Sequence, residues 1–167
     1  MTDALTYVYC LVADRKRPST AKRPKGLPGL GPLRLVQVGA EALWLVAADA
    51  PKTRYDERAI NERLRDLDWV SRVAVAHERV VESFLSSSAV LPMKLFTIFT
   101  SDARALDYIG SQQTKIAVAL DRVTGHDEWG VRVAFERTAA VSSPVGAGFS
   151  RPSRADVASG FSRTFAK

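Results

Sequence analysis

The chain is 167 residues long, 46% hydrophobic and 25% charged, which fits one globular domain able to bury a core rather than a disordered polymer. Its net charge of +6 suggests nucleic acid or a membrane surface as a partner, but the surplus is uneven: residues 1–34 carry +5, residues 35–137 carry −2 and residues 138–167 carry +3. One cysteine and two histidines exclude a disulfide scaffold and a four-ligand Cys/His zinc site, and the opening Met1-Thr2-Asp3-Ala4 lacks the basic start of a secretory signal.

The short β-branched and aromatic run 5–13, LTYVYCLVA, predicts a buried first strand. Residues 14–34 then hold four of the eight prolines, three glycines and seven basic residues, so regular structure gives way to a long basic loop. LRLVQV at 33–38 and ALWLVAA at 42–48 read as an antiparallel hairpin turning at Gly39-Ala40-Glu41, closed by Pro51. Mixed charges with Ile60 and Leu64 on one side predict a helix over 56–65. A second helix is expected from an Asp68 cap, with Trp69, Val73, Ala76, Val80 and Phe84 as its apolar stripe, His77 on the margin, and a stop at Ser86-Ser87-Ser88.

AVLPMKLFTIF at 89–99 returns to strand character, with Pro92 marking an edge or bulge. Thr100-Ser101-Asp102 opens a third helix, whose seam runs Leu106, Ile109, Gln113, Ile116, Leu120 and Val123 up to Gly125. Residues 128–135 alternate as a last strand. This order predicts an α+β fold, a ferredoxin-like variant with a mainly antiparallel sheet and helices packed on one face. Residues 1–137 are expected to form that single domain, including the basic loop at 14–34. The Ser/Ala/Gly/Pro-rich residues 138–167 read as a tail or the remnant of a second domain.

Catalytic signals are thin. Cys10 lies mid-strand among apolar residues, where burial raises a thiol pKa and makes it inert. His77 reads as a half-buried packing residue against Trp69 or Val80, with no second group at a defined spacing to make it a base. The glycines of Gly26-Leu27-Pro28-Gly29-Leu30-Gly31 match no phosphate loop, since no Lys-Ser/Thr follows and no helix opens there. The expectation is a protein that is not an enzyme and uses no cofactor or metal. The basic run RKRPSTAKRPK at 15–25 has no interleaved aromatic to stack a base. Nucleic-acid binding by a ferredoxin-like module through the loop and tail is therefore the alternative, and docking of a protein the leading expectation. Trp44 and Trp69 are expected in the core, and Trp129 toward a partner.

Several segments, taken together, carry a resemblance. They are Tyr7-Val8-Tyr9, the Gly-Leu-Pro-Gly loop, Leu67-Asp68-Trp69 leading into Ala76-His77-Glu78-Arg79-Val80-Val81, Val90-Leu91-Pro92-Met93-Lys94, Thr97-Ile98-Phe99 and Glu128-Trp129-Gly130-Val131-Arg132-Val133. In that order they resemble the gas vesicle GvpL/GvpF family. The resemblance implies a non-catalytic accessory protein, adaptor or chaperone-like, in the cytoplasm or at the gas vesicle. It would bind the hydrophobic shell protein and other accessory proteins during assembly, with no membrane partner. Family members usually show Arg followed by Phe-Gly-Thr after the Leu-Pro pair, where this chain has Lys94-Leu95-Phe96-Thr97, and they usually run on into a second α+β domain. The candidate partner-binding residues are Lys94, Phe96, Trp129 and Arg132, with the loop cations Arg15, Lys16, Arg17, Lys22, Arg23 and Lys25.

Overall fold

The computed structural model describes residues 4–40 and 42–126. Its centre is β1 (Ala4–Ala13), a strand with eight consecutive buried residues. β2 (Arg34–Gln37) and β3 (Leu43–Pro51) form the expected hairpin, turning through Gly39 at a φ of +61° that only glycine adopts without strain. Then come the one-turn helix α1 (Lys52–Tyr55), α2 (Glu57–Arg63), α3 (Leu67–Glu82), β4 (Ala89–Pro92), β5 (Ile98–Phe99), α4 (Asp102–Ser111) and α5 (Gln113–Val123). The expected strand at 128–135, with Trp129 and Arg132, and the residues beyond it lie outside the described residues.

The sheet runs β2-β3-β1-β4, every pairing antiparallel, with β5 also on β1. The fold is α+β, and β3, the helices α1–α3 and β4 make a split βαβ around β1. Read from the other edge, the strand order is 4-1-3-2, as in a ferredoxin-like sheet, although the connection from β1 to β2 is a loop where that arrangement has a helix.

β1 is apolar without alternation because both of its faces are covered, and a bulge changes which face its residues meet. Val8 pairs with Ala47 and Cys10 with Val46, so Tyr9 is the extra residue and the side-chain parity shifts there. Tyr7, Tyr9, Cys10 and Val12 therefore share one face with Val46, Ala48 and Ala50, under α3. Val8 and Leu11 point the other way, with Leu43 and Leu45, against Ala105 and Ile109 of α4 and Ile116 and Leu120 of α5. Helices thus cover both faces of the sheet: the one-face expectation describes α3, while α4 and α5 lie opposite.

Local signals set most helix ends. The Asp56 carboxylate accepts from the Ala59 amide and the Ser101 hydroxyl from the Arg104 amide, each capping a helix. The cap of α3 is Asp66, whose carboxylate accepts from the Trp69 amide at 2.9 Å; Asp68, the expected cap, sits in the first turn where a negative charge complements the helix dipole. The buried stripe of α3 is Trp69, Val73, His77, Val80 and Val81, so His77 belongs to it rather than to its margin. The expected third helix breaks at Gln112 into α4 and α5, just after Gly110 and Ser111, both poor helix formers. The seam shifts accordingly: Ala105 and Ile109 are buried, whereas Val123 is 37% exposed.

The expected strand 89–99 is likewise two short strands. β4 pairs with Cys10–Ala13 and β5 with Thr6 and Tyr7, while residues 93–97 leave the sheet as a loop anchored by Met93 N–H to the Tyr9 carbonyl and Val8 N–H to the Thr97 carbonyl.

One polar cluster joins β1, β2, β3 and α4. Arg34 reaches the Asp49 carboxylate at 2.8 Å and both carboxylate oxygens of Asp102, while the Thr6 hydroxyl donates to Asp102 at 2.7 Å. The hydrogen bond from Arg34 chiefly holds the Asp102 carboxyl below the usual carboxylate range, with Thr6 adding to it against the effect of burial. As pH falls, the unfolded chain takes up this proton first, so the contribution is complete above about pH 4 and is lost as pH drops through the lower folded value. Asp102→Asn is expected to flatten this part of the acid limb of a stability–pH profile measured by urea unfolding. An unchanged acid limb would contradict the assignment.

Candidate partner-binding surface

The basic loop between β1 and β2 is pinned on one side and charged on the other. Tyr9 accepts from the Leu27 amide at 3.0 Å, the Tyr55 hydroxyl donates to the Pro28 carbonyl at 2.8 Å, and Gly31 N–H bonds the Asp49 carbonyl at 2.8 Å. Leu27 is thereby buried in the core under α3. Arg15, Lys16, Arg17, Lys22 and Lys25 are exposed, and none of them forms an ion pair among the described residues. Two loop arginines lie over rings: the Arg23 guanidinium is 4.3 Å from the Phe84 centroid and that of Arg17 is 5.7 Å from Trp44. Trp44 is half-buried rather than a full core residue, its indole N–H directed at the Asp14 carbonyl.

The second candidate region is the Met93–Thr97 loop. Lys94 is exposed, and Phe96 stacks on Trp69 with centroids 5.5 Å apart and planes 9° apart. The Arg63 guanidinium lies 4.5 Å from the centroid of the same indole, which is only 3% exposed. Phe96 has a φ of +63°, the left-handed region that disfavours a side chain with a Cβ. The backbone bend here is carried by an aromatic residue, where glycine would adopt it without strain. Relief of about 1–2 kcal/mol of strain should offset much of the lost stacking, worth about 0.5–1.5 kcal/mol, in Phe96→Gly. Phe96→Ala loses the stack and keeps the strain. The expected stability order in urea unfolding is therefore glycine above alanine at this position, and the reverse order would show that the bend is unstrained.

His77 fastens this loop. Its Nε2 bonds the Met93 carbonyl at 3.0 Å and its Nδ1 the Tyr7 hydroxyl at 2.8 Å, and the Tyr7 oxygen in turn accepts from Phe96 N–H at 3.4 Å. The imidazole stacks on Tyr9 at 5.4 Å, not on Trp69 or Val80 as the helical spacing suggests. Burial chiefly pushes its pKa below the ordinary imidazole value, against the opposing pull of the Met93 carbonyl and Glu78. Burial also pushes the Cys10 thiol well up, so both residues that sequence reading tested for catalysis are held in core roles.

The loop cations and the Lys94/Phe96 pair do not converge. Phe84, under Arg23, follows the C-terminal end of α3, whereas Trp69, under Phe96, lies at its start. At 1.5 Å per residue this separates them by roughly 20 Å along the helix. The Arg34–Asp49–Asp102 cluster and the Tyr7–His77–Met93 connection were invisible to local spacing, since their hydrogen-bonded pairs are 15 to 70 residues apart.

The chain matches the Gas vesicle synthesis protein GvpL/GvpF family over residues 5–147. Gas vesicle protein L of Streptomyces sp. (strain CB03234) is 34% identical over 141 residues, covering 83% of this chain and 51% of the relative. The chain therefore belongs to the GvpL/GvpF family and spans about half the length of that relative. No solved structure matches it.

Proposed function

We propose that this protein is an accessory factor of gas vesicle assembly, an adaptor or chaperone-like protein that binds the hydrophobic shell protein and other accessory proteins. The observation that supports this reading most is the family match across 5–147, which takes in both candidate surfaces. The exposed cations of the β1–β2 loop would steer an acidic partner segment, and Lys94 with Phe96 would contact it at the other end of α3. The four-residue edge strand β2 offers a second mode of contact, backbone pairing with a partner strand. A shell subunit with a large apolar face aggregates unless covered, and an adaptor that covers it needs no catalytic step. Its place would be the cytoplasm, at the forming vesicle; among the described residues no helix is long and apolar enough to cross a membrane.

Co-expression with the shell protein tests this. The expected result is co-purification and more soluble shell protein, both reduced when Arg15, Lys16 and Arg17 are changed to Ser. Neither effect with the unaltered chain would overturn the reading, and salt-sensitive binding to RNA alone would favour the nucleic-acid alternative.

A further inference from the structure

We propose that His77 is a latch on the Met93–Thr97 loop, and that protonation of its ring releases the middle of the loop at Phe96 and uncovers Trp69. The hydrogen-bond wiring admits one arrangement. The Met93 carbonyl can only accept, so Nε2 carries the proton and Nδ1 is the acceptor. Tyr7 must therefore donate its hydroxyl proton to Nδ1, leaving the phenol oxygen to accept from Phe96 N–H. Neutral histidine satisfies every group in this chain from α3 through β1 to the loop.

Imidazolium does not. With a proton on Nδ1, two donors compete for the Tyr7 oxygen, and the Tyr7 hydroxyl proton loses its acceptor inside the core, where Tyr7 is fully buried. The fastener fails at Phe96, the residue held at a φ of +63°, so relief of backbone strain favours opening. Both ends of the loop stay anchored, since Nε2 still donates to the Met93 carbonyl and the Met93 and Val8 amides keep their bonds to Tyr9 and Thr97, so release is confined to Lys94–Phe96, where the stack on Trp69 opposes it.

The groups around the ring leave His77 as the switch. Tyr9, stacked on it from β1, is pushed up to about 12 by burial, and Tyr7 on β1 and Tyr55 on α1 are also raised, so all three stay neutral between about pH 5 and 8. Glu78, the neighbour on α3, favours the imidazolium and is outweighed by burial. Lys94, the loop's own cation, is solvent-exposed. Because burial lowers the ring's pKa in the closed state, the latch is fully made above about pH 6.5 and is released as pH falls through the closed-state value. Acidification would change the presentation of Lys94 and Phe96; that consequence rests on the assembly reading above, whereas the latch itself does not.

Amide hydrogen exchange on the full chain, resolved by NMR and corrected for intrinsic rates, tests the latch without any partner. Between about pH 7.5 and pH 5, protection of the Phe96 amide should fall by about tenfold for each pH unit between the open and closed pKa values of the ring. The Val46 amide, in the central β3, should change much less. The fall should begin below about pH 6.5, the ordinary imidazole value, and level off where the His77 ring titrates in the same spectra. Tyr7→Phe should leave Phe96 weakly protected at both pH values. Phe96 protection that is constant, or that falls in step with Val46, overturns the proposal, as does a fall that begins only below the His77 titration. If Tyr7→Phe does not fold, the unaltered chain alone decides.

Discussion

Trp69→Ala is expected to lower the unfolding free energy by about 3–5 kcal/mol, the usual range when a large buried aromatic is truncated and the space cannot close. The indole is 3% exposed, stacks on Phe96 and lies under the Arg63 guanidinium. Its removal leaves a void at the first turn of α3 that neither neighbour can fill. Phe96 is committed to its bend, and Arg63 would have to bury an unpaired charge to move inward. Trp69→Phe keeps a ring for both contacts and should retain most of the stability. The check is urea unfolding followed by far-ultraviolet circular dichroism, since the fluorescence probe is itself altered. A loss under about 1 kcal/mol would mean that the indole packs loosely and does not anchor the loop.

Gly26→Ala is the second large effect, expected to cost about 1–3 kcal/mol by overpacking. A Cβ at this position would lie 2.0 Å from the Tyr9 oxygen and 3.0 Å from its ring carbon. The phenol cannot swing aside, because it is fully buried, packed 4.7 Å from Tyr7 and stacked on His77. The loop must move instead, breaking the Leu27 N–H bond to that oxygen and lifting Leu27 from the core. Tyr9→Phe removes the obstructing atom at the expense of the same hydrogen bond. The two substitutions combined should therefore cost less than the sum of their separate effects. Strict additivity in a double-mutant cycle would place the strain somewhere other than at the Tyr9 oxygen.

Much of this architecture was legible because its causes are local. Residues 5–13 read as a buried strand from composition, the hairpin from two apolar runs around a glycine, and the helices from apolar spacing and acidic or hydroxyl caps. The errors were local too. Asp66 and Asp68 are equally good caps by type, and the helix begins at Leu67 with the Asp66 carboxylate on the Trp69 amide. The run 89–99 has uniform strand character, yet five residues leave the sheet because two core contacts, His77 to Met93 and Tyr7 to Phe96, hold the excursion in place.

By itself, then, the sequence determined the buried first strand, the basic character of the connection after it, the hairpin, the helical character of 56–82 and the family, since each depends on residue type and short-range spacing or on the order of recognisable segments. Tertiary structure decided the rest. The bulge at Tyr9 determines which side chains meet which face, and apolar residues on both faces of β1 and β3 call for helices on both. It also made His77 a fastener rather than a marginal packing residue, by bringing Tyr7 to it from 70 positions away. A hydrogen bond of that span leaves no periodic trace along a single chain; it exists only once β1, α3 and the 93–97 loop have closed on one another and removed water from between them.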